Sequence, residues 1–396
     1  MLEQLAPLPE DPILGLSLAC AADNNPCKVD LGVGVYKDEQ GDTPIMSAVR
    51  QAQALWHQRE QSKSYLEAGG IAGFNDGIAK LLLGEGHAAL QSQRVACVQT
   101  PGGCGANRLA AELIKRCRPN ARIWLPIPSW LNHFPLLRGA GLEIAEYPYY
   151  DGVNGGVDFD AMTTALNEAE PGDLVLVHGC CHNPTGADLS RQQWQIIAAI
   201  CKRRRLIPFI DIAYQGLGDG IDEDAWGTRH LAVELDEIFL VYSCSKNFGL
   251  YRERVGAVMV ISADCRLAEV CRGQLINCAR SMYTLSPSHG AAIVDIILSE
   301  PGLKENWDGE LTQMRNRIQD LRQAFYRQTK AAGMGDRFQF IAREKGLFSA
   351  LGLTPKQVHQ LRDKHSIYMV ESSRINIAGL NQANMAYVVA ALTELE

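Results

Sequence analysis

The chain has 396 residues, 46% of them apolar and 21% charged, with a formal net charge of −7, a composition that suits a soluble globular protein long enough for two domains. The acidic balance gives no electrostatic footprint for nucleic acid, and no apolar run reaches the roughly eighteen residues of a membrane span. The N-terminal MLEQLAPLPEDP has neither the basic start nor the apolar core of a secretory signal, so a cytoplasmic protein with its twelve cysteines reduced is expected.

In chain order, the first forty or so residues are loop-rich and cannot be placed by periodicity. From about residue 94 to 262, short apolar β-rich runs alternate with helical patterns. The runs fall at 94–99, 122–125, 142–146, 173–177, 207–210, 238–241 and 255–261, with helix-like stretches such as 106–116 and 191–204 between them. This alternation predicts an α/β fold with a mainly parallel sheet, and the uniformly apolar strands predict helices on both faces. Beyond residue 303 a long polar helix over 303–329, short strands at 338–341 and 347–350 and a helix over 354–364 predict a smaller α+β domain.

Several stretches carry chemistry. Thr100-Pro-Gly-Gly-Cys-Gly-Ala-Asn107 follows a strand and opens a helix, so its backbone N–H groups suit an anion; a tight strand-to-helix turn would use the same glycines. Its spacing is neither a Walker P-loop nor a dinucleotide fingerprint. Trp130, in the loop Ile127-Pro-Ser-Trp-Leu-Asn-His133, is either a stacking plate for a flat ring or a core tryptophan. His178-Gly-Cys-Cys-His182 has metal-ligand residue types, but it lies between a strand and the turn Asn183-Pro-Thr-Gly186, without helical spacing or a second Cys/His pair; no metal is expected. Asp211 ends the apolar strand in Phe209-Ile-Asp-Ile-Ala-Tyr-Gln-Gly216, where a carboxylate needs a partner or serves as a cap, and Tyr214 follows it. Tyr242-Ser-Cys-Ser-Lys-Asn-Phe-Gly-Leu-Tyr-Arg-Glu-Arg254 puts Lys246 at a strand end among Ser243, Ser245 and Arg254. Arg374, in Ser372-Ser-Arg-Ile-Asn-Ile-Ala-Gly379, enters an apolar run and wants a carboxylate, from protein or ligand. A lysine nucleophile, a strand-end carboxylate, an anion cradle, an aromatic plate and arginines together form the toolkit of a pyridoxal-phosphate enzyme.

The chain resembles the class I aminotransferases, in the branch of aspartate and bacterial aromatic-amino-acid aminotransferases. The resemblance runs from Asp11-Pro-Ile-Leu-Gly-Leu16 and Asp30-Leu-Gly-Val-Gly-Val-Tyr-Lys37 through the His178 and Asp211 stretches to Ser243-Cys-Ser-Lys-Asn-Phe-Gly-Leu-Tyr251 and Arg374-Ile-Asn-Ile-Ala-Gly379. It implies a fold type I pyridoxal-phosphate transferase with a seven-stranded sheet in a large domain (44–313) and a small domain from both chain ends (1–43 and 314–396). It also implies a homodimer with shared active sites. Lys246 would hold pyridoxal 5′-phosphate covalently and then shuttle a proton. Asp211, backed by His133, would pair with the ring nitrogen, Tyr214 and Asn183 with the phenolic oxygen, and Trp130 with the ring face. Gly103, Cys104, Ser243, Ser245 and Arg254 would bind the phosphate, joined by Tyr65 of the neighbouring subunit. Arg374 would clamp the substrate α-carboxylate, with Gly34 near the pocket, and Arg280 from the neighbour would meet a distal carboxylate.

The chain departs from the family's pattern at a few positions. Cys104 replaces the usual threonine or serine, Ser64 a common asparagine, and Thr284-Leu-Ser-Pro287 a more polar run, while Val35, Lys37 and Thr43 look like aspartate-selective members. The expectation is an aminotransferase passing amino groups from aspartate and aromatic amino acids to 2-oxoglutarate. One alternative is a primarily aromatic (tyrosine or phenylalanine) enzyme. A non-catalytic ligand-binding protein of the same fold is another.

Overall fold

The computed structural model describes residues 2–7 and 14–395; residues 11–13 of the N-terminal resemblance lie outside them. The chain divides into two units, one of Pro44–Arg317 with Glu344–Gly346, the other of Met1–Thr43, Ile318–Arg343 and Leu347–Glu396. The division falls inside the helix Pro301–Thr329, whose continuous polar pattern carries no signal for a boundary.

The strands in chain order are β1 (Val29–Asp30), β2 (Val95–Pro101), β3 (Arg122–Ile127), β4 (Glu143–Pro148), β5 (Leu174–His178), β6 (Ile207–Ile212), β7 (Ile238–Ser243), β8 (Val255–Ile261), β9 (Phe348–Ala350), β10 (Ile367–Tyr368) and β11 (Arg374–Asn376). In the larger unit β2 to β8 form one sheet in the order β2-β8-β7-β6-β5-β3-β4. Only β8 runs against its neighbours. Every residue of β5, β7 and β8 is buried, as uniformly apolar strands require when both faces are covered. The helix Gly102–Cys117 begins in the glycine-rich turn, earlier than its apolar pattern indicates. Each glycine of that first turn costs roughly 0.5–1 kcal/mol against alanine, whereas burying Leu109, Leu113 and Ile114 contributes roughly 1.5–3 kcal/mol apiece, so packing fixes the helix. The helix Arg191–Arg204 starts on a Ser190/Gln193 capping box.

The smaller unit is α+β. It pairs β1 with β10 in parallel and β9 with β11 antiparallel, and its helices include Leu14–Ala22, Pro355–His365 and Met385–Thr393. The first of these helices and β1 occupy the N-terminal segment that periodicity could not place. The strand expected at 338–341 is instead a 3₁₀ turn, Gln339–Ala342. Phe338 and Ile341, three residues apart, are both buried, and Phe338 meets the Phe325 ring edge-on at 5.8 Å. A spacing of three suits a helical turn rather than a strand.

Candidate active site

Five strand ends of the larger unit surround one cavity. It is lined at one end by Gly103, Cys104, Ser243, Ser245 and Arg254, and at the other by Trp130, Asn183, Asp211, Tyr214 and Lys246. The residues arrive at the carboxyl ends of β2, β3, β5, β6 and β7, where ligands of α/β sheets bind. Register brings them together: His178 pairs with Asp211, and Ser243 and Thr100 both pair with Gly256.

The first end is an anion cradle. Gly102 has φ +72°, and a Cβ there would run into the Arg254 guanidinium, so glycine lets the arginine lie against the turn. Arg254 donates to the Tyr251 carbonyl at 2.9 Å and to Ser245 Oγ at 3.4 Å, and the Ser245 N–H donates to Ser243 Oγ at 3.3 Å. Two hydroxyls, a guanidinium and the N-terminus of the helix Gly102–Cys117 thus converge.

The second end is organised around Asp211. His133 Nε2 lies 2.8 Å from Asp211 Oδ2, and the Asn107 amide donates to the same oxygen at 3.0 Å. Burial pushes the carboxyl up, but the hydrogen bonds from His133 and the Asn107 amide, with the His133 and His178 rings close by, outweigh it, and its pKa lies below the ordinary carboxylate value. Burial, reinforced by His133, pushes His178 down to about 3, so its ring is neutral at physiological pH. Its Nδ1 accepts from the Asn183 N–H at 3.2 Å, which leaves the ring proton on Nε2, 3.3 Å from Ser129 Oγ. The Ser129 hydroxyl can then donate to His133 Nδ1 at 2.9 Å, and His133 Nε2–H to Asp211. A run of donors all pointing one way supports a carboxylate. Lys246 Nζ stands 5.1 Å from the Tyr214 ring centroid, and the half-buried Trp130 meets His133 edge-on at 5.2 Å.

Asn107, Ser129 and the relay role of His178 were not read from the sequence. For Asn107 a signal existed: it lies one helical turn after Gly103, on the same face. His182 bonds Thr185 Oγ1 at 2.8 Å, stacks on Tyr149 at 4.1 Å and packs its ring 4.3 Å from that of His178, with no hydrogen bond to the relay. Cys180, Cys181 and Asp224 have ligand atoms within 4.8 Å of one another, but Asp224 already accepts the N–H groups of Gly216, Gly218 and Asp219.

Tyr65 and Arg280 do not line the cavity of their own chain. Tyr65 is 89% exposed, and Arg280 is exposed in the last turn of the helix Cys265–Met282. Just beyond it, Thr284 has φ +68° while its N–H closes on the Ala279 carbonyl at 3.0 Å. That left-handed position favours glycine or asparagine over a β-branched residue. Thr284→Asn is therefore expected to stabilise the protein by about 1 kcal/mol, read as a higher denaturant midpoint; an unchanged or lower midpoint would contradict the strain assigned to it.

In the smaller unit, the buried Arg374 donates to the Gly32 carbonyl at 2.8 Å, and its guanidinium carbon lies 4.3 Å from the Phe348 ring centroid. A Cβ on Gly34 would approach the same ring to 2.8 Å. Phe348, absent from the sequence reading, is secured by the buried Arg322, which donates to its carbonyl at 2.6 Å and to Ser349 Oγ at 2.7 Å.

A model of the aminotransferase class I and II family matches residues 26–392. The chain is 43% identical to the aspartate aminotransferase of Salmonella typhi over 99% of both chains. It is 44% identical to the aromatic-amino-acid aminotransferase of Pseudomonas aeruginosa, covering 99% of this chain and 98% of the other. Its structure is similar to that of the aromatic-amino-acid aminotransferase of Burkholderia pseudomallei covalently bound to pyridoxal phosphate, with a TM-score of 0.97 and 42% identity over 99% and 98% of the two chains. The chain belongs to the class I and II aminotransferase family. It is a pyridoxal-phosphate-dependent transaminase. The cavity fits that cofactor chemically: an anion cradle that no Cβ at Gly102 could share, a carboxylate kept ionised, and a lysine and a tyrosine lining the same cavity.

Proposed function

We propose that the enzyme moves amino groups from both aspartate and aromatic amino acids to 2-oxoglutarate, in ping-pong fashion. The observation that carries this is near-equal, full-length likeness to an aspartate and to an aromatic-amino-acid aminotransferase. The chain's own residues point the same way: Lys37 and Thr43 are of the aspartate-selective kind, whereas Leu285 is less polar than the family's usual residue.

In this reading Gly103, Cys104, Ser243, Ser245 and Arg254 hold the cofactor phosphate, with Tyr65 of the partner subunit. Cys104 is a weak donor, so Arg254 and the backbone amides carry more of that grip. Trp130 stacks on the ring, and Tyr214 and Asn183 bond its phenolic oxygen. Asp211 holds the proton on the ring nitrogen, which the donor relay through His133 favours. When bound, the cofactor supplies an electron sink that acidifies the substrate Cα–H. Lys246 holds the cofactor covalently and, once displaced by the incoming amine, carries the proton from Cα. Arg374 pairs with the α-carboxylate, its Phe348 contact limiting the guanidinium's freedom before substrate arrives. Gly34 stands beside that substrate. Arg280 of the partner subunit meets the distal carboxylate of a dicarboxylic substrate. The working form is a homodimer in the cytoplasm.

The test compares kcat/KM for aspartate, phenylalanine and tyrosine with 2-oxoglutarate, in the parent and in Arg280→Leu. All three should turn over in the parent. Arg280→Leu should cost aspartate about 100-fold and phenylalanine only a few-fold, the scale of losing one partner of a desolvated charge pair. Negligible turnover of all three, or equal losses in the variant, would contradict the reading.

A further inference from the structure

Asn107 is fully buried in the helix Gly102–Cys117, one turn beyond Gly103. Its side-chain amide makes two donor bonds, to the Gly103 carbonyl at 3.0 Å and to Asp211 Oδ2 at 3.0 Å. Its own oxygen, Oδ1, is buried without a hydrogen-bond partner. At a position that only filled space, leucine would have the same branching and leave no orphaned acceptor. The cost of that oxygen marks the two donor bonds as what asparagine supplies here. His133 Nε2 reaches the same Asp211 oxygen at 2.8 Å, so donors from two separate elements fix one oxygen of a carboxylate that lines the cavity.

We propose that Asn107 is a positioning residue: with His133 it holds the Asp211 carboxylate in the orientation that meets the ring nitrogen of pyridoxal phosphate, and it ties that end of the site to the Gly103 turn of the anion cradle. The inference rests on the reading of Asp211 as the ring-nitrogen partner. One side chain thereby links the two ends of the cavity through a single helical turn. Its donation also favours the ionised carboxylate against burial, in concert with His133.

The test uses holoenzyme carrying Asn107→Leu and, separately, Asn107→Ala. A less firmly held Asp211 secures the ring-nitrogen proton less well. The ring then withdraws fewer electrons from the nitrogen that Lys246 contributes, and that nitrogen becomes more basic. The pH midpoint of the bound cofactor's visible absorbance should therefore move upward by about half a unit or more in both variants. The dissociation constant for pyridoxal phosphate should rise about ten-fold, and kcat for aspartate should fall about ten-fold with KM unchanged. Asn107→Leu keeps the volume and trades the lost donor bonds against the removed orphaned oxygen, so it should melt near the parent's temperature, while Asn107→Ala leaves a cavity and should melt lower. Equal midpoint shifts in two variants of unequal stability would support positioning. A folded Leu variant with the parent's midpoint, dissociation constant and kcat would overturn it, as would shifts that merely track lost stability. Failure of the underlying reading looks different: the parent itself would then show no cofactor absorbance that responds to Asp211→Asn.

Discussion

Lys246→Ala is expected to lower kcat by at least about 10⁴-fold, the upper end of what one proton-transferring side chain contributes, and to abolish the pH-dependent absorbance that the covalent link to the lysine nitrogen gives the bound cofactor. Lys246 stands just past the end of β7, in a turn between Ser245 and the buried Asn247, and it lines the cavity opposite no competing lysine among the residues that shape it. The substitution removes the covalent anchor and the proton carrier together, so no neighbour can take over either task. The anion cradle stays intact, and the variant should still bind pyridoxal phosphate, only reversibly. Single-turnover kinetics with aspartate check the rate, and equilibrium dialysis checks the binding. Turnover within 100-fold of the parent would remove Lys246 from the centre of the mechanism.

Asp211→Asn ranks second, with an expected fall in kcat of about 10³-fold, which corresponds to about 4 kcal/mol and lies in the range for breaking a buried charge pair. The shape is preserved, so the loss isolates charge. Asp211 is nearly fully buried and is kept ionised against burial by His133 and Asn107. An asparagine there that keeps its oxygen toward the His133 and Asn107 donors turns its NH2 group, a donor, toward the ring-nitrogen proton and offers that proton no anion. Melting temperature and cofactor occupancy should be followed beside kcat. A stable, loaded variant with kcat within ten-fold of the parent would contradict the role given to the carboxylate.

The sheet was legible because its strands are apolar on both faces, and that signal needs only neighbours in sequence, as β5, β7 and β8 show. The 338–341 segment misled for a related reason: two large apolar residues three apart fit a short run of either kind until Phe325 is seen to receive Phe338. The cavity's Lys246, Asp211 and Arg254 stood out as charges in apolar or small-residue settings. Asn107 did not, because its partner Asp211 lies 104 residues further along the chain and only the pairing of strands brings them together. Ser129, His178, Phe348 and Arg322 share that limitation, since their significance lies in contacts across the fold. Tyr65 and Arg280 were carried by resemblance alone, and nothing in their exposed local surroundings announces a site.

The most direct test of the central claim is chemical. The purified protein, loaded with pyridoxal phosphate, is treated with borohydride with and without prior aspartate, and its peptides are mapped by mass spectrometry. The account predicts a reduced pyridoxyl adduct on the peptide containing Lys246, and far less of it when aspartate is added first. An adduct on another lysine, or none at all, would contradict it.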